Sequence, residues 1–162
     1  MYRHILVPTD GSRLSEDAAG AAIALARAMG GRITALHVVA PTAQPPLESW
    51  VHGGADYGAR LVVAQERRGL LYLETVRDAA LRAGVACECV IAHGASPAGQ
   101  IVREARLRHC DLVVMASHGS RGAAGGLAGS QTLEVVATGG IPVLAHHGNV
   151  HAVQPLTRPR AA

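Results

Sequence analysis

The residues best placed to do chemistry form one glycine-rich run: Met115-Ala116-Ser117-His118-Gly119-Ser120-Arg121-Gly122-Ala123-Ala124-Gly125-Gly126-Leu127-Ala128-Gly129-Ser130. It grows out of the apolar run Leu112-Val113-Val114 and runs into a helix-like segment from Ser130. A strand that opens into a glycine loop and closes on a helix N-terminus can hold phosphate. Bare N–H groups converge there, no Cβ atoms block approach, and the helix dipole favours negative charge. Gly119, Gly129 and Ser130 are the candidate phosphate contacts, with Gly122 secondary. The Ser130 hydroxyl would serve equally well as a helix N-cap with no ligand present. Arg121 either neutralises phosphate through its fork of donors or is a solvated loop cation.

A second group is Val7-Pro8-Thr9-Asp10-Gly11-Ser12, at the end of the first apolar run. Asp10 either faces a ligand or closes an Asx-turn ahead of the segment beginning near Ser12. Pro8 and Thr9 would line the same wall. His118 invites a catalytic role, but a general base needs a positioned water and an oriented ring, and the sequence supplies neither. No residue is assigned to catalysis. His146, His147 and His151 lack a carboxylate or cysteine at a spacing that completes a metal site, so no metal site is assigned. Cys87-Glu88-Cys89 sets two thiols on one face of a strand, read as small buried hydrophobes rather than ligands or redox centres.

The elements that must position these groups follow from the apolar pattern. Five short runs, 4–7, 33–39, 85–91, 112–116 and 141–145, read as strands. Ala18, Ala22, Leu25 and Met29 recur at helical spacing, as do Leu70, Leu73, Val76 and Ala80. Ser96 and Pro97 start a third helix that presents Ala98, Ile101 and Ala105 on one face. A fourth runs from Ser130 through Ala137 and stops at Gly139-Gly140. Strands alternating with helices predict a parallel sheet, and continuous apolar runs predict strands covered on both faces. The expected fold is therefore α/β: a three-layer, open, five-stranded parallel sheet with helices on both faces. In such sheets ligands bind outside the carboxyl ends of the strands, where strand order reverses. Both candidate groups lie at strand ends of that kind. Residues 40–58, with Pro41, Pro45, Pro46, Gly53, Gly54 and Gly58, read as an irregular mobile link, or else a lid over the site. The segment 148–162 reads as a disordered tail.

Composition narrows the classes. The 162 residues are 49% hydrophobic, with no Phe and one Trp, so Ala, Val, Leu and Ile must build the core. A net charge of +3, with arginines spread along the chain and no aromatic interleaving, argues against nucleic acid as a partner. No run approaches the ~20 apolar residues of a membrane span. Three cysteines are too few, and odd in number, for a disulfide scaffold. The expectation is a reduced, cytoplasmic protein.

Several of these segments, in order, resemble the universal stress protein family across residues 2–147. Ile5-Leu6-Val7-Pro8-Thr9-Asp10-Gly11-Ser12 resembles its first strand and acidic turn, Leu36-His37-Val38-Val39 its second strand, Asp111–Gly119 its fourth strand and nucleotide loop, and Pro142-Val143-Leu144 its last strand. The family's ATP signature is Gly, two residues, Gly, nine residues, then Gly-Ser or Gly-Thr. Here it falls on Ala116, Gly119, Gly129 and Ser130. The resemblance implies a Rossmann-type domain over 1–147, similar to the adenine-nucleotide α-hydrolases. It implies a homodimer paired through 141–145 and ATP, with Mg2+, bound at Pro8, Thr9, Asp10, Val38 (through its backbone, to adenine), Met115, Ala116, His118, Gly119, Arg121, Gly122, Gly129 and Ser130. The implied role is a regulatory or stress-tolerance module with at most slow hydrolysis. Alternatives are a dimeric interaction protein of the same fold without nucleotide, and an ATP pyrophosphatase-type enzyme. The signature departs from its pattern at Ala116. If that position needs positive φ, alanine costs about 1–2 kcal/mol. Gly125-Gly126 adds loop entropy.

Overall fold

The computed structural model describes residues 2–41, 54–117 and 131–147. Five parallel strands form one sheet: β1 (His4–Pro8), β2 (Arg32–Val39), β3 (Cys87–His93), β4 (Leu112–Ala116) and β5 (Val143–His146). Their spatial order is β3-β2-β1-β4-β5. The helices are α1 (Arg13–Met29), α2 (Gly54–Arg82), α3 (Pro97–Leu107) and α4 (Gln131–Gly139).

Side chains alternate across each strand, so the sheet divides the core in two. Ile5, Val7, Ile33, Ala35, Leu112 and Val114 pack with α1 and α2, through Ala19, Ala22, Ala26, Leu73, Val76 and Ala80. Leu6, Leu36, Val113 and Met115 pack on the other face with α3 and α4, through Ala98, Ile101, Ala105 and Val135. Alanines on the helix faces let them lie close to the sheet, which is how a core without Phe fills its volume. The three-layer α/β reading is correct.

Local signals set the boundaries. Ser12 caps α1 by accepting the Ser15 N–H at 3.2 Å, and Ser96 caps α3 by accepting the Gly99 N–H at 3.0 Å. Gly30 and Gly140, both at φ of +60°, end α1 and α4. At the amino end of the sheet, Asp111 accepts the N–H groups of Arg3 (2.8 Å) and His4 (3.0 Å), fastening β1 to the start of β4. The His4 ring is buried between Thr34 and Arg32. Its burial, and then the Arg32 charge, lower its pKa and keep the ring neutral.

Four expectations are corrected. Residues 54–58 are helical, because α2 begins at Gly54. Two glycines that read as breakers are tolerated inside a 29-residue helix whose later turns are anchored on the sheet. Leu70 is 51% exposed; the position facing the sheet at that turn is Gly69, backed by the His37 ring. The third strand starts at Cys87, since the Val85 N–H is taken by Ala80 O (2.9 Å) in closing α2. The last strand runs Val143–His146, with Pro142 ahead of it giving its carbonyl to the Val113 N–H at 2.9 Å. Residues 42–53, and the 148–162 segment read as a tail, lie outside the described residues.

Candidate functional site

The chain leaves β1 toward β2 on one side and returns through β4 on the other, so strand order reverses between β1 and β4. The first helical turns of α1, α3 and α4 open at the same carboxyl edge, and their dipoles favour negative charge there. The backbone explains why the two strands part at this point. His4 O accepts the Asp111 N–H, so even-numbered residues of β1 direct their polar groups toward β4. Pro8 would be the next donor but one in that series, and it has no N–H. The β1–β4 register ends at Leu6–Val113.

On the other side, the Thr9 N–H donates to Leu36 O at 2.8 Å and β1 stops, while β2 continues to Val39 against β3. Val39 O turns toward β3, where it accepts the Gly94 N–H at 3.1 Å. By alternation the Val38 N–H and C=O point to the β1 side, past the end of β1 and over the switch point. The Val38 side chain packs into the core beneath α3. Val38 thus presents a backbone donor and acceptor together, at the position the resemblance assigns to adenine.

The turn after β1 is closed by its own side chains. The Asp10 carboxylate accepts the Ser12 N–H at 3.0 Å, which is the Asx-turn, and it sits at the start of α1. Buried Thr9 accepts the Gly11 N–H (3.2 Å) and donates to Ser15 Oγ (3.1 Å); Ser15 in turn donates to Ser12 O (2.8 Å). His37 Nδ1–H donates to Thr9 O at 2.8 Å. Its ring meets Tyr72 of α2 edge-on, with centroids 5.5 Å apart. Half-buried Pro8 completes this wall.

On the β4 side, the Met115 side chain is buried in the core, so it offers a ligand only its backbone. The Ala116 carbonyl accepts the hydroxyl of Thr132, in the first turn of α4, at 2.9 Å, and the Ser117 N–H donates to His146 O at 2.9 Å. Gln131 Oε1 accepts the Ala98 N–H at 2.8 Å, tying the starts of α3 and α4 together. Pro8, Thr9, Asp10, Val38 and Ala116 therefore converge on one edge. His118, Gly119, Arg121, Gly122, Gly129 and Ser130 lie outside the described residues. Thr132, Ser15, His37 and Tyr72 were not singled out from the sequence. A polar residue inside the run Leu36-His37-Val38-Val39 was the one available signal among them.

Elsewhere the thiols are protonated: burial pushes Cys87 and Cys110 up to about 11 and raises Cys89. Only Cys110 is buried; Cys87 and Cys89, read from the sequence as buried, are half-buried on β3, the strand at the edge of the sheet. Among the described residues no cluster of three His, Cys, Asp or Glu side chains could hold a metal ion, and no helix is long and apolar enough to cross a membrane.

A family model described as the universal stress protein family matches residues 1–147. The chain belongs to that family. It is 30% identical to universal stress protein YxiE of Bacillus subtilis over 146 residues, covering 89% of this chain and 98% of the relative. Its fold matches the solved structure of hypothetical protein MJ0577 with a TM-score of 0.75 and 25% identity, over 91% of this chain and 96% of the other. It also matches a universal stress protein solved in complex with cAMP, with a TM-score of 0.66 and 24% identity, over 90% and 97% of the two chains.

Within this member of the family, Ala116 is part of β4, and His109 is the only non-glycine with positive φ among the described residues. The strain that would make alanine costly at the first signature position is absent. At the ATP site that the resemblance implies, Ala116→Gly should therefore change affinity by less than about threefold, and it should lower stability by roughly 0.5–1 kcal/mol, the strand-interior cost of glycine. Calorimetric titration and a denaturant melt measure the two; a tenfold gain in affinity would show that the methyl crowds the ligand.

Proposed function

We propose that this universal stress family protein binds an adenine nucleotide, ATP with Mg2+, at the carboxyl edge between β1 and β4, and acts as a cytoplasmic regulatory or stress-tolerance module. The observation that carries the reading is the Val38 backbone pair directed over the switch point. Its N–H complements adenine N1, and its carbonyl complements the 6-amino group. In this reading Asp10 serves the ribose, and the phosphates are held by Gly119, Gly129 and Ser130, which precede α4 in the sequence. That the neighbour holding cAMP has the same fold supports the choice of ligand class. Mg2+ would come with the phosphates as counter-charge rather than sit in a protein cage. Turnover is slow at most, since no side chain is assigned as base or arginine finger. Melting curves with and without ATP-Mg2+ test the reading, and they separate it from a nucleotide-free interaction module.

The same reading includes a homodimer through β5. That strand is the last in the sheet, with β4 on one side only, and Leu144 is 41% exposed. Leu133 and Val136 of α4 are exposed close in sequence to it. An unpaired apolar edge is an aggregation hazard unless covered, and two such edges related by a two-fold axis cover each other. Val143→Asp should abolish this pairing, giving single chains or insoluble protein where wild type is at least dimeric by light scattering at tens of micromolar. Wild type running as single chains would refute it.

A further inference from the structure

The register of β3 against β2 sets two free thiols side by side. Cys87 pairs with Ile33 and Cys89 with Ala35, so β3 is extended there and both side chains lie on the face covered by α2. Both are half-buried. Each acts on the other through charge and a hydrogen bond, which places the two sulfurs close together. Glu88, between them, points to the opposite face and pairs with Arg108. The core that the thiols join is apolar, with Ile33, Ala35, Leu73 and Val76 among its members. Cys89 donates to the Leu73 carbonyl at 3.6 Å. Among the described residues β3 has a strand on one side only, so the pair is reached from the free edge of the sheet.

We propose that Cys87 and Cys89 together bind one Cu(I) ion between their two sulfurs. Strand geometry decides against a disulfide. Residues two apart on a strand are separated by about 6.6 Å, and their Cβ atoms keep that spacing. A disulfide needs Cβ atoms about 3.5–4.5 Å apart, which would break the β2–β3 register. A linear sulfur–metal–sulfur bridge, with two bonds of about 2.3 Å, needs sulfurs only about 4.6 Å apart. Each thiol leaning in by about 1 Å closes that difference with the strand intact. Ligand number and softness then select the ion. Zinc wants four ligands in a tetrahedron, and hard cations want oxygen, whereas soft Cu(I) prefers thiolates. Binding exchanges the ion for both thiol protons, so two protons leave and the bis-thiolate complex carries one negative charge. Half-exposed Arg77 of α2 acts on both thiols and favours their charged forms, while the Glu74 and Glu88 charges oppose it at Cys89. The site is separate from the nucleotide reading, because it lies beyond β2 from the switch point between β1 and β4.

Anaerobic titration of the full chain with Cu(I), in competition with a chromophoric Cu(I) chelator, tests this directly. Wild type should take up one ion per chain, and excess Zn(II) should leave the titration unchanged. Cys87→Ala and Cys89→Ala each remove one of two ligands. Each should weaken binding by more than the ~10–100-fold that losing an outer-shell partner costs. Cys110→Ala, on the other face of the sheet, should titrate as wild type. Arg77→Gln should weaken binding by about two- to fivefold, the range of a half-exposed charge. X-ray absorption at the copper edge of the wild-type complex needs no variant, and it should show two sulfur ligands. Copper retained at wild-type affinity by Cys87→Ala or Cys89→Ala would overturn the proposal, as would three or more sulfur ligands. So would a doubling of mass in light scattering when copper is added, since the sulfurs would then come from two chains.

Discussion

Adding ATP with Mg2+ should raise the melting temperature of the protein by about 5–10 °C. A ligand that binds only the native state adds RT ln(1 + [L]/Kd), about 2.7 kcal/mol at a hundredfold excess over Kd. For a domain near 150 residues each kcal/mol is worth roughly 2–4 °C. AMP carries the base and ribose but engages less of the phosphate loop, so its shift should be smaller. The control is Gly119→Val, which places a branched side chain where the resemblance puts the phosphates while keeping the Ser130 hydroxyl. Curves with ATP, AMP and no ligand should separate in wild type and collapse together in that variant. Ser130→Ala is a poorer control because it removes a candidate helix cap along with a candidate phosphate contact. A shift below one degree at millimolar ATP would favour the nucleotide-free interaction module instead.

The sheet was legible in the sequence because covered parallel strands carry a signal that needs no partner to read. Ile5-Leu6-Val7 and Leu112-Val113-Val114 are apolar without interruption, and both are buried. Helix α3 was readable for a similar reason, since Ser96 and Pro97 mark its start by local chemistry alone. Errors came where long-range packing outweighed local preference. Gly54 and Gly58 read as breakers, yet they lie in a helix whose buried turns are further along. The spacing of Leu73, Val76 and Ala80 pointed back to Leu70, while the sheet-facing place belongs to Gly69 because His37 leaves no room for a Cβ: one built there would lie 2.3 Å from the ring.

The site divides along the same line. That Asp10 follows a strand and precedes a helix was visible, and so was its Asx-turn, which the Ser12 N–H contact establishes. What no local pattern reveals is the direction of the Val38 amide. That follows from where β1 stops against β2, a register between residues 28 apart in sequence. The contacts of His37 with Thr9 and of Thr132 with Ala116 depend on register in the same way. Chemistry carried by side-chain type was readable one residue at a time; chemistry carried by backbone direction needed the sheet.

The register also makes Gly11 the most sensitive position of the described site. Its φ is +74°, and a Cβ added there would lie 2.2 Å from the Tyr72 ring. The conformation alone costs a non-glycine residue about 1–2 kcal/mol. The clash adds to this because Tyr72 has little freedom to retreat, with its ring held edge-on against His37. Gly11→Ala should therefore lose about 2–4 kcal/mol, seen as a fall of roughly 5–15 °C in the melting temperature. ATP affinity should fall with it, because the displaced turn carries Thr9 and Asp10. The two contributions can be separated. In Gly11→Ala combined with Tyr72→Ala the clash is gone and the backbone strain remains, so the double variant should be more stable than the sum of the single changes predicts, by about 1–2 kcal/mol of coupling. Strict additivity would mean that the ring does not constrain the turn, and that backbone conformation alone makes glycine necessary at this position.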